Sequence, residues 1–309
     1  MKRCPITYQS IKAGRYSQVG LKQISRKLSD LKELPYNLEE FKKEYINRAG
    51  KLSIQGVQPK LSAKLSIPNQ QFELVDKNGK FILKPQNSSY PELPENEDLT
   101  MKMAKICGIE TPWHGLIWSK ENQLCYMIKR FDRKGHNSKL ALEDFAQLSQ
   151  KKRVTKYQSS LENVVSIIDQ FTTFPILEKH KLLRLTIFNY LVGNEDMHLK
   201  NFSLITRNDK VELSPAYDLL NTTIAIENPI EEIALPIVGK KSKLKLKHFT
   251  QSLAKERMKI SENKISNILE EIEASLTNWK SLISISFLSD EMQQKYQELL
   301  EKRVKVIFG

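Results

Sequence analysis

The stretch Gly193-Asn194-Glu195-Asp196-Met197-His198-Leu199-Lys200-Asn201, followed by Pro215-Ala216-Tyr217-Asp218, decides how the rest of the chain reads. An acid and an amide five residues apart, then a second acid after a hairpin-like interval, are what ATP-dependent phosphoryl transfer needs. Asp196 can accept or orient the proton of an attacking hydroxyl. The Asn201 amide oxygen and the Asp218 carboxylate can hold Mg²⁺ against the phosphates, because Mg²⁺ takes few protein oxygens and completes its shell with phosphate and water. Alone, Asp196 reads as a turn aspartate. At the exit of a strongly apolar segment, with Asn201 and Asp218 behind it, it reads as chemistry. His198 has no second His or Cys at ligand spacing, which argues against zinc and leaves a structural or phosphate-facing histidine.

Length and composition set the frame. A chain of 309 residues with 40% hydrophobic and 28% charged residues fits one two-lobed domain or two modest ones. No run of about 18 apolar residues is present, so no membrane helix is expected. The start, Met1 to Tyr8, is basic but lacks an apolar core, so no signal peptide is expected and the expected location is the cytoplasm. Cys4, Cys107 and Cys125 are too few and too scattered for a disulfide framework or a zinc site. The net charge of +13 points to a polyanionic partner: nucleic acid, nucleotide, or a nucleic-acid-bound protein. The excess is densest over Lys240 to His248, where Lys and Leu alternate at 243–247. That period of two predicts a strand-like hairpin edge guarded by lysines, with a phosphate-tracking patch as the other reading.

Working outward from the loop, the pattern changes from β to α. Asn37 predicts the cap of a helix over 38–46. Strands are expected at 60–67, 71–75 and 80–84, with Asn78-Gly79 as a hairpin turn, and at 115–119 and 124–130 around Glu121-Asn122. Asn96 is expected to cap a helix over 97–107 that stops at Gly108. Helical periods follow at 142–149, 160–172 and 178–192, then a hairpin around Asn208-Asp209, then helices over 249–308 broken near 286–290. The expected fold class is α+β, a two-lobed kinase-like arrangement with a β-rich N-lobe over 1–130 and a mainly helical C-lobe over 131–309. Lys84 ends a strand and can grip the α- and β-phosphates. Glu97, placed in the first turn of the next helix, can hold it, with Glu95 and Asp98 competing. Ser53 to Lys60 can arch over phosphates with its backbone N–H groups, although its single glycine matches neither standard glycine-rich pattern.

Together these pieces resemble the HipA family of toxin kinases, and within it the short HipT toxins. The resemblance is carried by Ser53 to Ser62, Phe81 to Pro85, Glu92 to Glu97, Lys129 to Arg133, Glu143 to Phe145, Gly193 to Phe202, Tyr217-Asp218 and Leu235 to Lys241. It implies a serine/threonine protein kinase related to the phosphatidylinositol 3/4-kinase-like group, using ATP and Mg²⁺. It implies Asp196 as the catalytic acid, Asn201 and Asp218 as Mg²⁺ ligands, and Lys84 on the phosphates. Gln55, Gly56, Val57, Gln58, Pro59 and Lys60 would form the ATP loop, and Lys129, Arg130 and Phe131 the adenine-binding hinge. Asp132 would reach the ribose, and His198, Leu199, Lys200, Asn201 and Tyr217 would line the nucleotide. Ser53 matches the family's self-phosphorylated serine, and a phosphate of about −1.5 to −2 charge there would compete with those of ATP. Gln55 stands where HipT relatives often carry a second serine. A small N-terminal subdomain of the longer HipA toxins is expected to be missing here. The implied substrate is an aminoacyl-tRNA synthetase, tryptophanyl ahead of glutamyl. The implied partners are HipS-like and HipB-like antitoxins, with DNA reached through the latter. A small-molecule or lipid kinase, and a non-enzymatic nucleic-acid- or antitoxin-binding module, are the competing readings.

Overall fold

Short strands, several of them buried on both faces, build the sheet in the first half of the chain. The computed structural model describes residues 2–49, 59–135, 138–226 and 229–309. Contacts divide it into two units: Met1–Leu99 with Pro112–Arg133 and Ile285–Leu288, and Thr100–Thr111 with Lys134–Ser284 and Ser289–Gly309.

The first unit holds α1 (Gln18–Ile24), α2 (Leu38–Ala49), β1 (Leu61–Ser66), β2 (Gln71–Leu74), β3 (Phe81–Lys84), the start of α3 (Leu93–Ile106), β4 (His114–Trp118) and β5 (Leu124–Lys129). The five strands form one antiparallel sheet in the order β2-β1-β3-β5-β4. Leu61, Ala63, Phe81, Leu83, Ile117, Cys125 and Met127 are buried with Cys4, Ile6, Leu21, Leu28, Leu31, Leu34 and Phe41 of the N-terminal segment. A stretch whose sequence is polar and weakly patterned thus supplies half a core. Asn37 caps α2 as expected: its side chain accepts the Glu40 N–H at 2.8 Å while Glu40 returns a bond to the Asn37 N–H at 2.8 Å.

Two expectations fail here for local reasons. Asn78-Gly79 makes no hairpin, because β1 lies between β2 and β3. The connection instead crosses to the far edge of β1, and a Cβ on Gly79 would sit 2.0 Å from Ser62 Oγ. Glycine is there for close approach rather than for turn geometry. The helix expected to begin after Asn96 begins at Leu93, with Glu92 at φ +57 before it and Pro94 in its first turn. Proline is tolerated there, since the first-turn N–H groups have no helical acceptor. Glu97 therefore lies in the second turn.

The second unit contains β6 (Leu142–Asp144), α4 (Phe145–Leu148), α5 (Leu161–Phe171), α6 (Pro175–Leu191), β7 (Ser203–Arg207), β8 (Lys210–Leu213), a wide-wound helix His248–Arg257, α7 (Glu262–Ser284) and α8 (Asp290–Phe308). Residues 142–149 are not one helix. Leu142 to Asp144 pair with β7, and Asp144 then caps a single turn through a reciprocal bond with Gln147. Asn208 and Asp209 turn the β7–β8 hairpin with φ of +49 and +60. The Lys/Leu alternation at 243–247 does not make a strand: Lys243 has φ +54, Leu244 is buried, and the chain passes into the helix at His248. Among the described residues no helix is long and apolar enough to cross a membrane.

The core of this unit gathers on α6, where Leu182, Leu183, Ile187, Phe188 and Leu191 are fully buried. Trp279 of α7 packs edge-on against Phe188 at 5.4 Å and donates its indole N–H to the Met103 carbonyl of α3 at 3.0 Å. Truncating Trp279→Ala is expected to cost about 3–5 kcal/mol by cavity formation. The midpoint of urea unfolding should fall with the m-value unchanged.

Candidate active site

The apolar helix α6 delivers the chain into the loop through Gly193, whose φ of +70 suits glycine. The Gly193 carbonyl accepts the hydroxyls of Thr222 (3.1 Å) and Thr223 (3.0 Å). Asn194 is buried: its amide donates to Asn189 Oδ1 at 3.0 Å, and its own Oδ1 accepts the Asp196 N–H at 3.2 Å. The Asn201 side-chain nitrogen donates to the Asp196 carbonyl at 2.8 Å, which closes the loop on itself. Because that nitrogen is committed, the Asn201 side-chain oxygen is left as an acceptor.

The loop is braced from several sides. Tyr217 shares a 2.5 Å hydroxyl contact with Ser203 and donates to the Lys200 carbonyl at 3.1 Å. It precedes Asp218, whose φ of +55 is the left-handed backbone that a short polar side chain tolerates. The single Thr223 hydroxyl proton is shared between the Gly193 carbonyl and Glu195 Oε1, the latter 2.6 Å away. Arg303 of α8, nearly buried, lies 3.9 Å from Glu195, 3.0 Å from Glu232 and 4.5 Å above the Tyr190 ring. His198 Nδ1 accepts the Lys200 N–H at 3.2 Å, and Nε2 lies 2.6 Å from Lys156 Nζ. Burial holds the His198 pKa below the ordinary value, with Lys156 adding to the effect against the opposing carboxylates of Asp196 and Asp218. Leu199 is fully buried, and Lys200 is 3.6 Å from Asp144. The Asp196 carboxylate is 44% exposed and accepts the Tyr157 hydroxyl.

In the first unit, Lys84 leaves β3 on the face opposite Leu83 and meets Glu97 of α3 at 2.5 Å. Both are nearly free of solvent, at 4% and 1% exposure. The other two acids are taken: Glu95 accepts two bonds from Gln86, and Asp98 meets His114 Nδ1 at 2.7 Å. Lys129 pairs in register with Phe81, and the Arg130 N–H reaches the Lys80 carbonyl at 2.8 Å. Burial opposes ionisation of Asp132, but a forked bond from Arg130, with Arg133 beside it, outweighs this and holds its pKa below the ordinary value. Pro59 and Lys60 lead into β1, and Phe131 follows β5 in a turn. Ser53, Gln55, Gly56, Val57 and Gln58 lie outside the described residues.

These placements put a lysine–glutamate pair in a β-rich unit, and an Asp–Asn loop followed by a second Asp in a helical one. A family profile for the HipA-like C-terminal domain matches residues 52–279. The chain belongs to the HipA-like family. It is 30% identical over 262 residues to a putative kinase of Haemophilus influenzae, covering 78% of this chain and 74% of that one. It is 27% identical over 207 residues to the serine/threonine-protein kinase toxin HipA of Shewanella oneidensis, covering 60% and 47%. That span is about half the length of the HipA toxin. Among solved structures, HipA of Shewanella oneidensis in its complex with HipB and operator DNA superposes with TM-score 0.70 at 20% identity, over 91% of this chain and 73% of that one. The Helicobacter pylori kinase CtkA superposes with TM-score 0.59 at 16% identity, over 83% and 92%. The likeness in fold to these two structures agrees with the α+β class read from the sequence.

Residues that the sequence did not single out lie around the loop: Lys156 beside His198, Tyr157 on Asp196, Thr222 and Thr223 on the Gly193 carbonyl, and Arg303 near Glu195. Their signal is tertiary, since none lies at a diagnostic spacing from the loop. A methyl group on Gly193 would come 2.4 Å from Leu299 Cδ2 and 2.8 Å from Asn221 Oδ1. Gly193→Ala should cost about 2–4 kcal/mol from overpacking and left-handed strain, read as a lowered urea midpoint. Burial raises Glu95 to about 7. The folded chain therefore holds a proton there that the unfolded chain releases near pH 4.5, and this contribution is lost as the pH rises through 7. Glu95→Gln should accordingly match wild type at pH 4 and be more stable at pH 8, by up to about 3 kcal/mol. Thermal melts at the two pH values check this.

Proposed function

We propose that the chain is an ATP- and Mg²⁺-dependent serine/threonine protein kinase, the toxin component of a HipT-like toxin–antitoxin system. The observation that carries this reading is the Lys84–Glu97 pair. Two opposite charges kept almost wholly out of water, at 4% and 1% exposure, stabilise a fold little or not at all compared with apolar residues of the same size. They make sense as a lysine held ready for phosphates. On this reading Glu97 fixes the ammonium of Lys84 for the α- and β-phosphates. Lys129, Arg130 and Phe131 receive the adenine, and Asp132, already oriented by Arg130, faces the ribose.

Asn201 and Asp218 fit Mg²⁺. One supplies a carboxylate and the other an amide oxygen freed by the bond from its nitrogen to the Asp196 carbonyl, a hard oxygen set. Bound there with ATP, the ion neutralises charge that develops on the phosphates. Asp196 takes the proton of the acceptor hydroxyl. His198, kept mainly neutral by burial and Lys156, leaves Asp196 without a fixed imidazolium partner. Among acceptors we favour tryptophanyl-tRNA synthetase, then glutamyl-tRNA synthetase, whose modification would stop translation and growth. Ser53 would be the regulatory self-phosphorylation site, and HipS-like and HipB-like antitoxins the partners, with DNA reached through the HipB-like protein.

The test uses radiolabelled ATP, Mg²⁺ and the two purified synthetases. Wild type should label one of them, and Asp196→Asn should lower the rate by about 10²–10⁴-fold. Lys84→Met should abolish labelling with the fold intact by circular dichroism. No transfer from wild type to either synthetase, or equal transfer from Asp196→Asn, would falsify the proposal.

A further inference from the structure

Asp196 already holds a hydroxyl. The Tyr157 phenol donates to Asp196 Oδ1, the oxygen that also lies 3.8 Å from His198 Nε2. The Tyr157 ring stands edge-on to the His198 ring at 5.0 Å between centroids. The pair sits at the surface, where a macromolecular acceptor must approach: Tyr157 is 41% exposed and the Asp196 side chain 44%.

The attachment of the 153–159 segment to the loop is divided between two neighbouring residues. Lys156 anchors it through its carbonyl, which accepts the Leu199 N–H at 3.3 Å. The turn is closed independently by the Gln158 N–H on the Thr155 carbonyl at 2.9 Å. Tyr157 reaches the loop through its side chain, while its carbonyl accepts the Ser159 N–H at 3.0 Å within the segment and its ring lies 4.8 Å from Lys156 Nζ. Rotation about its own side-chain torsions can release Asp196 while Lys156 keeps the segment in place, and exposed side chains rotate quickly compared with enzyme turnover.

We propose that Tyr157 is an acceptor gate: its phenol occupies the hydroxyl position on Asp196 in the resting chain and must swing away before a serine or threonine of a protein acceptor can engage. The inference rests on the reading of Asp196 as the kinase base. Burial pushes the phenol pKa up, and the bond to the Asp196 carboxylate pushes it further, so Tyr157 remains a hydrogen-bond donor throughout the neutral range. It competes with the acceptor for one atom and makes no demand on ATP. A residue that merely positioned Asp196 would instead be needed for turnover, so the two roles predict opposite kinetics.

Two measurements decide between them. The first needs no activity. In protein labelled at tyrosine ¹³Cζ, the Tyr157 resonance, assigned by its absence in Tyr157→Phe, should shift when Asp196 is changed to Asn. An unmoved resonance overturns the gate. The second measures phosphate transfer to tryptophanyl-tRNA synthetase and to dephosphorylated casein. For Tyr157→Phe, KM for the protein acceptor should fall about three- to tenfold, the size of one partly solvated hydrogen bond to a charged group, with kcat within about twofold and KM for ATP unchanged. Tyr157→Ala should show the same direction. An unchanged acceptor KM, or a kcat lowered tenfold or more, overturns the gate while leaving the kinase reading intact. Failure of wild type to label either synthetase or casein overturns the kinase reading and the gate with it, even where the ¹³C shift reports the hydrogen bond.

Discussion

One amide orients the loop from Gly193 to Asn201. The bond from the Asn201 side chain to the Asp196 carbonyl spans the loop, so the two residues cannot move separately. It fixes which end of the Asn201 amide is turned to the Asp196 carbonyl. The surrounding groups act on the same few backbone atoms. Asn194 holds the Asp196 N–H, the threonines hold the Gly193 carbonyl, and Tyr217 holds that of Lys200. A loop of polar residues is thereby given the rigidity that a functional site requires, without regular secondary structure.

The loop itself was legible because its groups lie close in sequence and follow a long apolar helix. Strands β1 to β5 were legible for a similar reason, since period-two patterns survive burial of one face. What the sequence misplaced depended on contacts at a distance. Asn78-Gly79 has the composition of a hairpin, but β1 takes the place between β2 and β3, so the two strands that flank this turn do not pair. Residues 142–149 show a helical period, yet the edge of β7 has backbone groups to satisfy and captures the first three. The alternation at 243–247 reflects Leu244 packing inward from an irregular segment, which imitates a strand. The N-terminal segment gave the weakest signal and fills one face of the sheet, because its apolar residues are spaced by turns rather than by a helix or strand period.

Burial of charge distinguishes the two units from an ordinary α+β core. In the first, three neighbouring acids of α3 meet three different fates: Glu95 is driven towards the neutral form, Glu97 is matched by an ammonium, and Asp98 is matched by an imidazole. Position along one helix is enough to decide among them, because each side chain leaves the helix in a different direction. Sequence alone could name the three acids as competitors for Lys84 but could not choose, since the choice lies in the direction of each side chain.

Arg303 has a consequence for how this domain is delimited. The family match ends at residue 279, while the guanidinium that sits between Glu195 and Glu232 comes from α8, well past that point. A fragment cut to the matched borders would retain Lys84, Glu97, Asp196, Asn201 and Asp218, yet take the Arg303 guanidinium away from Glu195 and Glu232 at the start of the loop. The evolutionary unit recognised by sequence and the unit that is electrically complete are therefore different lengths of chain.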